Sequence, residues 1–189
     1  LQFGHQRIKL AIVSQRQDNS SAFEGEAGIS LAKVPIRSPT MTVEPLWIDY
    51  NGHLNLAYYQ VLFDRGTDGV FAVLGIGPDY AAERSLTMFA LEAHISYLRE
   101  IVAGERVVVD SQILDHDEKR LHIFQTLIQA KDGFVSATCE IMHLHIDMAV
   151  RRAAPFPADR MQAIAACAAA HAGLPVPERA GRRIGIPRR

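Results

Sequence analysis

The chain has 189 residues, 48% of them hydrophobic, and a formal net charge of −1. That length suits one globular domain with short extensions, and so small a charge gives no reason to expect nucleic acid as a partner. No apolar run approaches the roughly 20 residues that cross a bilayer, and the start lacks the ordered regions of a signal peptide. Cys139 and Cys167 stand apart without CxxC spacing, which fits a reducing cytoplasm rather than a disulfide framework.

Residues 1–35 are mixed in character. Residues 8–13 could form a short strand, and the polar, Gly- and Ser-bearing stretch 15–28 reads as a mobile linker. No G-x-G-x-x-G occurs, so no dinucleotide-binding piece is visible. Residues 38–46 are expected to form the first strand and to enter a tight polar turn, Asp49 to Gly52. A helix is expected over 55–74, with Leu56, Tyr59, Leu62, Phe63, Val70, Val73 and Leu74 on one stripe. Gly66 and Gly69 lie near that stripe, tolerable if the helix lies close against a sheet. Gly75, Gly77 and Pro78 end it.

Residues 86–99 alternate as a long strand, with Thr87, Phe89, Leu91, Ala93, Ile95 and Tyr97 on one face and Glu92, His94 and Ser96 on the other. Strands at 106–114 and 120–130 follow, joined by the acidic turn at 115–118. Asp132-Gly133 signals a hairpin into a last strand at 134–147. Beyond 151, prolines break the sheet. An Ala-rich helix at 159–172 offers a narrow docking stripe of Met161, Ile164 and Cys167 or Ala168. The end, 174–189, carries Arg179, Arg182, Arg183, Arg188 and Arg189 among Pro and Gly, and reads as extended or disordered. The order of elements gives an α+β layer, with an N-terminal extension at 1–35, the main domain at 36–150, a helix at 151–173 and a basic tail at 174–189.

The chemistry centres on Trp47-Ile48-Asp49-Tyr50-Asn51-Gly52-His53-Leu54-Asn55. A helix start leaves its first N–H groups without internal partners and carries partial positive charge. A carboxylate beside such donors can act on a carbonyl whose oxygen becomes negative. Asp49 is then a candidate base or nucleophile, although an Asx-turn or helix-capping acid is the plainer reading.

The pattern Asp-x-x-Gly-His-x-Asn-x-x-x-Tyr, followed by a long helix and four strands, resembles the hot-dog-fold acyl-CoA thioesterases of the 4-hydroxybenzoyl-CoA thioesterase type, over residues 38–150. The longer run from Trp47, with Ala180-Gly181-Arg182, is more narrowly similar to thioesterases associated with carnitine dehydrogenase, which act on betainyl-CoA. Where many relatives carry a further acid and a second Asn, this chain has Trp47 and Leu56. The resemblance implies an antiparallel sheet wrapped round a long central helix, hydrolysis of an acyl-CoA thioester, a homodimer or tetramer, no membrane, no cofactor and no metal. It places the catalytic carboxylate at Asp49, as nucleophile or as general base for water.

Each further residue has two readings. Gly52 and His53 could donate backbone N–H groups to the oxyanion, or Gly52 could simply serve a turn of positive φ. Asn55 is an N-cap or a positioning amide. Trp47, Tyr58, Tyr59, Phe89 and Tyr97 could offer an aromatic face to a trimethylammonium group, with Trp47 foremost, or could pack the core. Glu92 and His94 belong to a polar strand face, or Glu92 reaches a neighbouring subunit's site. His143, His145 and Asp147 alternate as metal ligands could, but read as an ordinary polar face. The tail arginines could grip coenzyme A phosphates, or stand in solvent. A non-catalytic acyl-CoA-binding module and a hydratase on the same fold are the alternatives of other classes.

Overall fold

The structure, a computed structural model, describes residues 34–186. Most of the expected 1–35 extension, including the possible strand at 8–13, lies outside the described residues. The elements in order are β1 (Ile36–Arg37), β2 (Met41–Thr42), α1 (Leu56–Leu74), α2 (Pro78–Arg84), β3 (Leu86–Tyr97), β4 (Arg106–His116), β5 (Arg120–Gln129), β6 (Val135–Asp147), β7 (Arg152–Ala153) and α3 (Ala158–His171). The strands form one antiparallel sheet in the order β1-β4-β5-β6-β3, with β2 also on β4 and β7 also on β6. The sheet wraps α1, the hot-dog arrangement.

α1 starts as the sequence implies. Asn55 is its N-cap, accepting the Ala57 N–H at 3.0 Å, and Gly75 closes it with φ 65°. Its buried face is Tyr59, Leu62, Phe63, Gly66, Thr67, Gly69, Val70 and Leu74. Leu56, expected on this stripe, is instead 67% exposed: the first turn projects past the packed face, and the stripe begins at Tyr59.

The expected first strand at 38–46 is two pieces. Pro39 and Pro45 donate no N–H to a ladder, so β1 and β2 pair with β4 for only two residues each. The Ser38 hydroxyl fills part of the gap by accepting the Val109 N–H at 2.9 Å. Pro45–Trp47 is a single 3-10 turn.

The faces of β3 also differ from simple alternation. A bulge lies between Ala90 and Glu92, so that Ala90 pairs with His143 but Glu92 with Met142. One extra residue reverses side-chain parity. Ala93, Ile95 and Tyr97 oppose Ile141, Cys139 and Ala137, the helix side, whereas Thr87 and Phe89 fall on the same outer face as Glu92 and His94.

His143 and His145 do not line a polar surface. Both are buried on the helix side of β6. The His145 Nδ1 meets the Ala154 carbonyl at 2.8 Å, so it carries the proton, and its Nε2 accepts from the Tyr80 hydroxyl at 2.8 Å. Tyr80 comes from α2, a helix the sequence reading missed by treating Pro78 only as a terminator; Pro at its first position and Asp79 in its first turn were the signals. The His143 ring stands edge-on to Phe71, and burial lowers its pKa to about 4.

α3 docks on β4 and α1 through Ile164 and Cys167. His171 at its end accepts the Ile113 N–H on Nδ1 at 2.8 Å. Arg160 reaches back to the carbonyls of Leu74 and Gly75 that end α1. Beyond α3 no helix or strand forms over 174–186, but the segment is tied down. The Gly181 N–H donates to Glu140 at 2.7 Å, and the other Glu140 oxygen meets His122 at 2.8 Å.

Candidate active site

The loop from Trp47 to Asn55 is closed by its own backbone. The Asn55 N–H donates to the Trp47 carbonyl at 2.9 Å, and Ile48 bridges Leu54. Further out, the Asp49 N–H donates to the His53 carbonyl and the Gly52 N–H to the Asp49 carbonyl, both at 3.0 Å. Gly52 takes φ 86°, which a side chain would resist. The Leu54 N–H anchors the loop to the Ile101 carbonyl at 2.8 Å. The Asp49 carboxylate accepts the Asn51 N–H on Oδ1 at 2.8 Å, which leaves Oδ2 for chemistry. Both the Asx-turn reading and the placement of an acid directly before the helix hold at once.

The donors differ from those expected. The Gly52 N–H is engaged in closing the turn on the Asp49 carbonyl. The N–H groups of His53 and of Leu56, the first residue of α1, donate to no described residue, while those of Ala57 and Tyr58 are taken by Asn55. Leu56 offers a backbone N–H that sequence reasoning overlooked. Its signal was its position one residue after the N-cap, where the N–H has no acceptor within the helix.

Trp47 is 6% exposed. Tyr58 stacks on it with centroids 5.3 Å apart and planes at 12°, and the Arg65 guanidinium lies 5.2 Å over the same ring. Tyr58 and Arg65 are two turns apart on α1, about 10.5 Å along its axis, and both pack on the indole. The indole is thus buried, stacked and already beside a cation, which would repel a second one. Of the two tyrosines, Tyr59 is the core residue, 4% exposed and edge-on to Tyr97 at 5.1 Å. Burial pushes its phenol pKa up, against the opposing influence of a hydrogen bond with Ser136.

Tyr97 at the end of β3 thus lies beside the start of α1. Phe89 and Glu92 are eight and five residues earlier on β3, about 26 and 16 Å along it at strand spacing. Within one chain they do not join the Asp49 loop.

The Thioesterase-like superfamily matches residues 43–164, well over half of the sequence. The chain belongs to that family. It is 41% identical over 145 residues to the betainyl-CoA thioesterase of Pseudomonas aeruginosa, covering 77% of this chain and 91% of that protein. It is 36% identical over 82% of its length to the L-carnitine dehydrogenase/betainyl-CoA thioesterase of Rhizobium meliloti, of which it spans 31%. Among solved structures, a hypothetical protein from Staphylococcus aureus in complex with CoA superposes with a TM-score of 0.75 and 32% identity, covering 80% of this chain and 95% of the other. As a member of the family, the chain is a thioesterase acting on acyl-CoA.

Proposed function

We propose that the acyl-CoA is betainyl-CoA, hydrolysed to betaine and coenzyme A, and that the Asp49 carboxylate acts on its carbonyl. The acyl group is supported by the 41% identity with betainyl-CoA thioesterase. The site is supported by one observation: a carboxylate fixed by Asn51 in a closed loop that delivers the chain to the start of α1. With Asp49 as nucleophile, Oδ2 attacks the carbonyl carbon, the C–S bond breaks to release the CoA thiolate, and water then hydrolyses the mixed anhydride. With Asp49 as base, it takes a proton from the water that attacks instead. In either case the oxyanion is met by the N–H groups of His53 and Leu56, at the electropositive end of α1.

The working unit is a homodimer in this reading. The outer edge of β3 pairs with no strand among the described residues, and it exposes Phe89, Leu91 and Tyr97. Antiparallel pairing with a second copy would lay the first half of the partner's β3 beside Tyr97, and so carry a second Phe89 and Glu92 toward the Asp49 loop. An acyl-CoA substrate and two buried, unpaired thiols, with Cys139 raised to about 12 by burial and by Glu140, favour the cytoplasm.

Free thiol release over a panel of acyl-CoA esters tests both parts. Asp49→Asn keeps an oxygen for the Asn51 N–H, so stability should change by less than about 1 kcal/mol while turnover falls roughly 10²–10⁴-fold. Undiminished hydrolysis by that variant would remove Asp49 from the reaction. Faster turnover of a neutral short-chain or aromatic ester would replace betainyl-CoA.

A further inference from the structure

The substrate named above sets a geometric demand of its own. Its trimethylammonium nitrogen is one methylene from the thioester carbonyl, about 2.5 Å from the reacting carbon at ordinary bond lengths. With that carbon in attacking contact at roughly 3–3.5 Å from Asp49, the cation lies within about 6 Å of the carboxylate. The group has no N–H, so it is recognised by negative charge and by aromatic faces. The recognising ring must lie within about 6 Å of that nitrogen, close to the Asp49 turn.

Within one chain, the aromatic residues near the loop are nearly all engaged. Trp47 is buried, stacks on Tyr58 and lies under the Arg65 guanidinium, whose charge would repel a second cation. Tyr58 gives a face to Trp47, and Tyr59 is buried against Tyr97. Tyr50 differs. It is 97% exposed, and its ring has no aromatic or cationic partner among the described residues. It follows Asp49 directly in the turn closed by the Gly52 N–H, and its other neighbour, Asn51, holds the carboxylate. A large aromatic ring left bare in a backbone-pinned loop buries no core surface, so packing does not account for it.

We infer that Tyr50 supplies the aromatic face that receives the trimethylammonium group, and that it selects the cationic acyl chain over a neutral one of equal shape. This rests on the betainyl-CoA reading. Asp49 and Tyr50 then divide the work on neighbouring residues: the carboxylate takes the carbonyl carbon, and the ring takes the charge one methylene away.

The test compares betainyl-CoA with 3,3-dimethylbutanoyl-CoA, in which a carbon replaces the charged nitrogen and the shape is kept. The readout is the ratio of kcat/KM for the two esters, measured for the wild type, Tyr50→Phe and Tyr50→Leu. The wild type should favour the cation. Phe should hold the ratio within about threefold, and Leu should lower it roughly five- to thirty-fold, chiefly through KM. Because Tyr50 is exposed, thermal melting of all three should coincide. A wild-type preference that survives Tyr50→Leu would overturn the assignment of Tyr50 while leaving the substrate standing. Equal loss in the Phe and Leu variants would also overturn it, by pointing to the hydroxyl. No preference in the wild type would dismiss the betainyl-CoA reading and Tyr50 together.

Discussion

Gln125, fully buried on β5, donates its side-chain amide to the Phe63 carbonyl of α1 at 3.1 Å. The same nitrogen lies 3.3 Å from the hydroxyls of Thr67 and Ser111. A sheet side chain can reach a helix carbonyl only where the two backbones come close, and Gly66 permits that approach. A Cβ built there would stand 2.6 Å from Val109 Cγ1 and 2.9 Å from Gln125 Nε2. Gly66→Ala should therefore destabilise by about 1–3 kcal/mol, despite the helix propensity it adds. Gly69→Ala is the control, since nothing lies within 4 Å of its Cβ position, and it should gain up to about 1 kcal/mol. Urea unfolding of the pair checks the opposite signs.

Leu56 allows a backbone donor to be deleted by mutation. It is the first residue of α1, where proline is tolerated. The preceding Asn55 already holds φ −66° and ψ 142°, the conformation that a residue before proline prefers. Leu56→Pro should leave helix content and unfolding nearly unchanged, and should lower kcat about 10²–10³-fold if that N–H meets the oxyanion. Circular dichroism and steady-state kinetics on one preparation decide it, and full activity would exclude Leu56 as a donor.

Stability should fall in mild acid. His143 is neutral when folded, because burial lowers its pKa from 6.5 to about 4. Between those values the unfolded chain binds the proton and the folded chain does not, so folding weakens as pH drops. The contribution is intact above pH 6.5 and is lost by pH 4, reaching about 3 kcal/mol. His171 shifts in the same direction, also through burial, and protonation there would displace the Ile113 N–H from Nδ1. Denaturant midpoints at pH 7 and pH 4.5 should differ less for His143→Leu than for the wild type; an unchanged difference would clear His143.

The open edge of β3 predicts self-association. Leu91 sits in the bulge and is 56% exposed. Leu91→Arg should shift light-scattering mass from dimer toward monomer, and turnover should fall with it if the partner's β3 completes the site. A wild type that is monomeric at assay concentration, and active, would refute the dimer.

The sequence was most informative where a local rule acted alone. The N-cap at Asn55, the left-handed stop at Gly75 and the Asp-Gly hairpin before β6 each depend on a few adjacent residues, and each lies where expected. The misreadings arose where the answer lay across the sheet. Nothing local to 86–97 marks the extra residue at Leu91, which shows only in the register against β6. The burial of His143 and His145 depends on α2 and Phe71 arriving from elsewhere in the chain. At the loop itself, position made Asp49 only a candidate, and the family resemblance is what placed the catalytic carboxylate there. Which amides lack an acceptor followed only from tracing where each N–H goes, and that is what makes Leu56 a candidate donor while Gly52 closes the turn.

The buried indole of Trp47 packs against Tyr58 and Arg65 of α1 and so ties the turn two residues downstream to the helix surface. Trimming it would let that turn, and Asp49 with it, shift relative to α1. If Asp49 acts as proposed, changing Trp47 should lower turnover for charged and uncharged substrates alike.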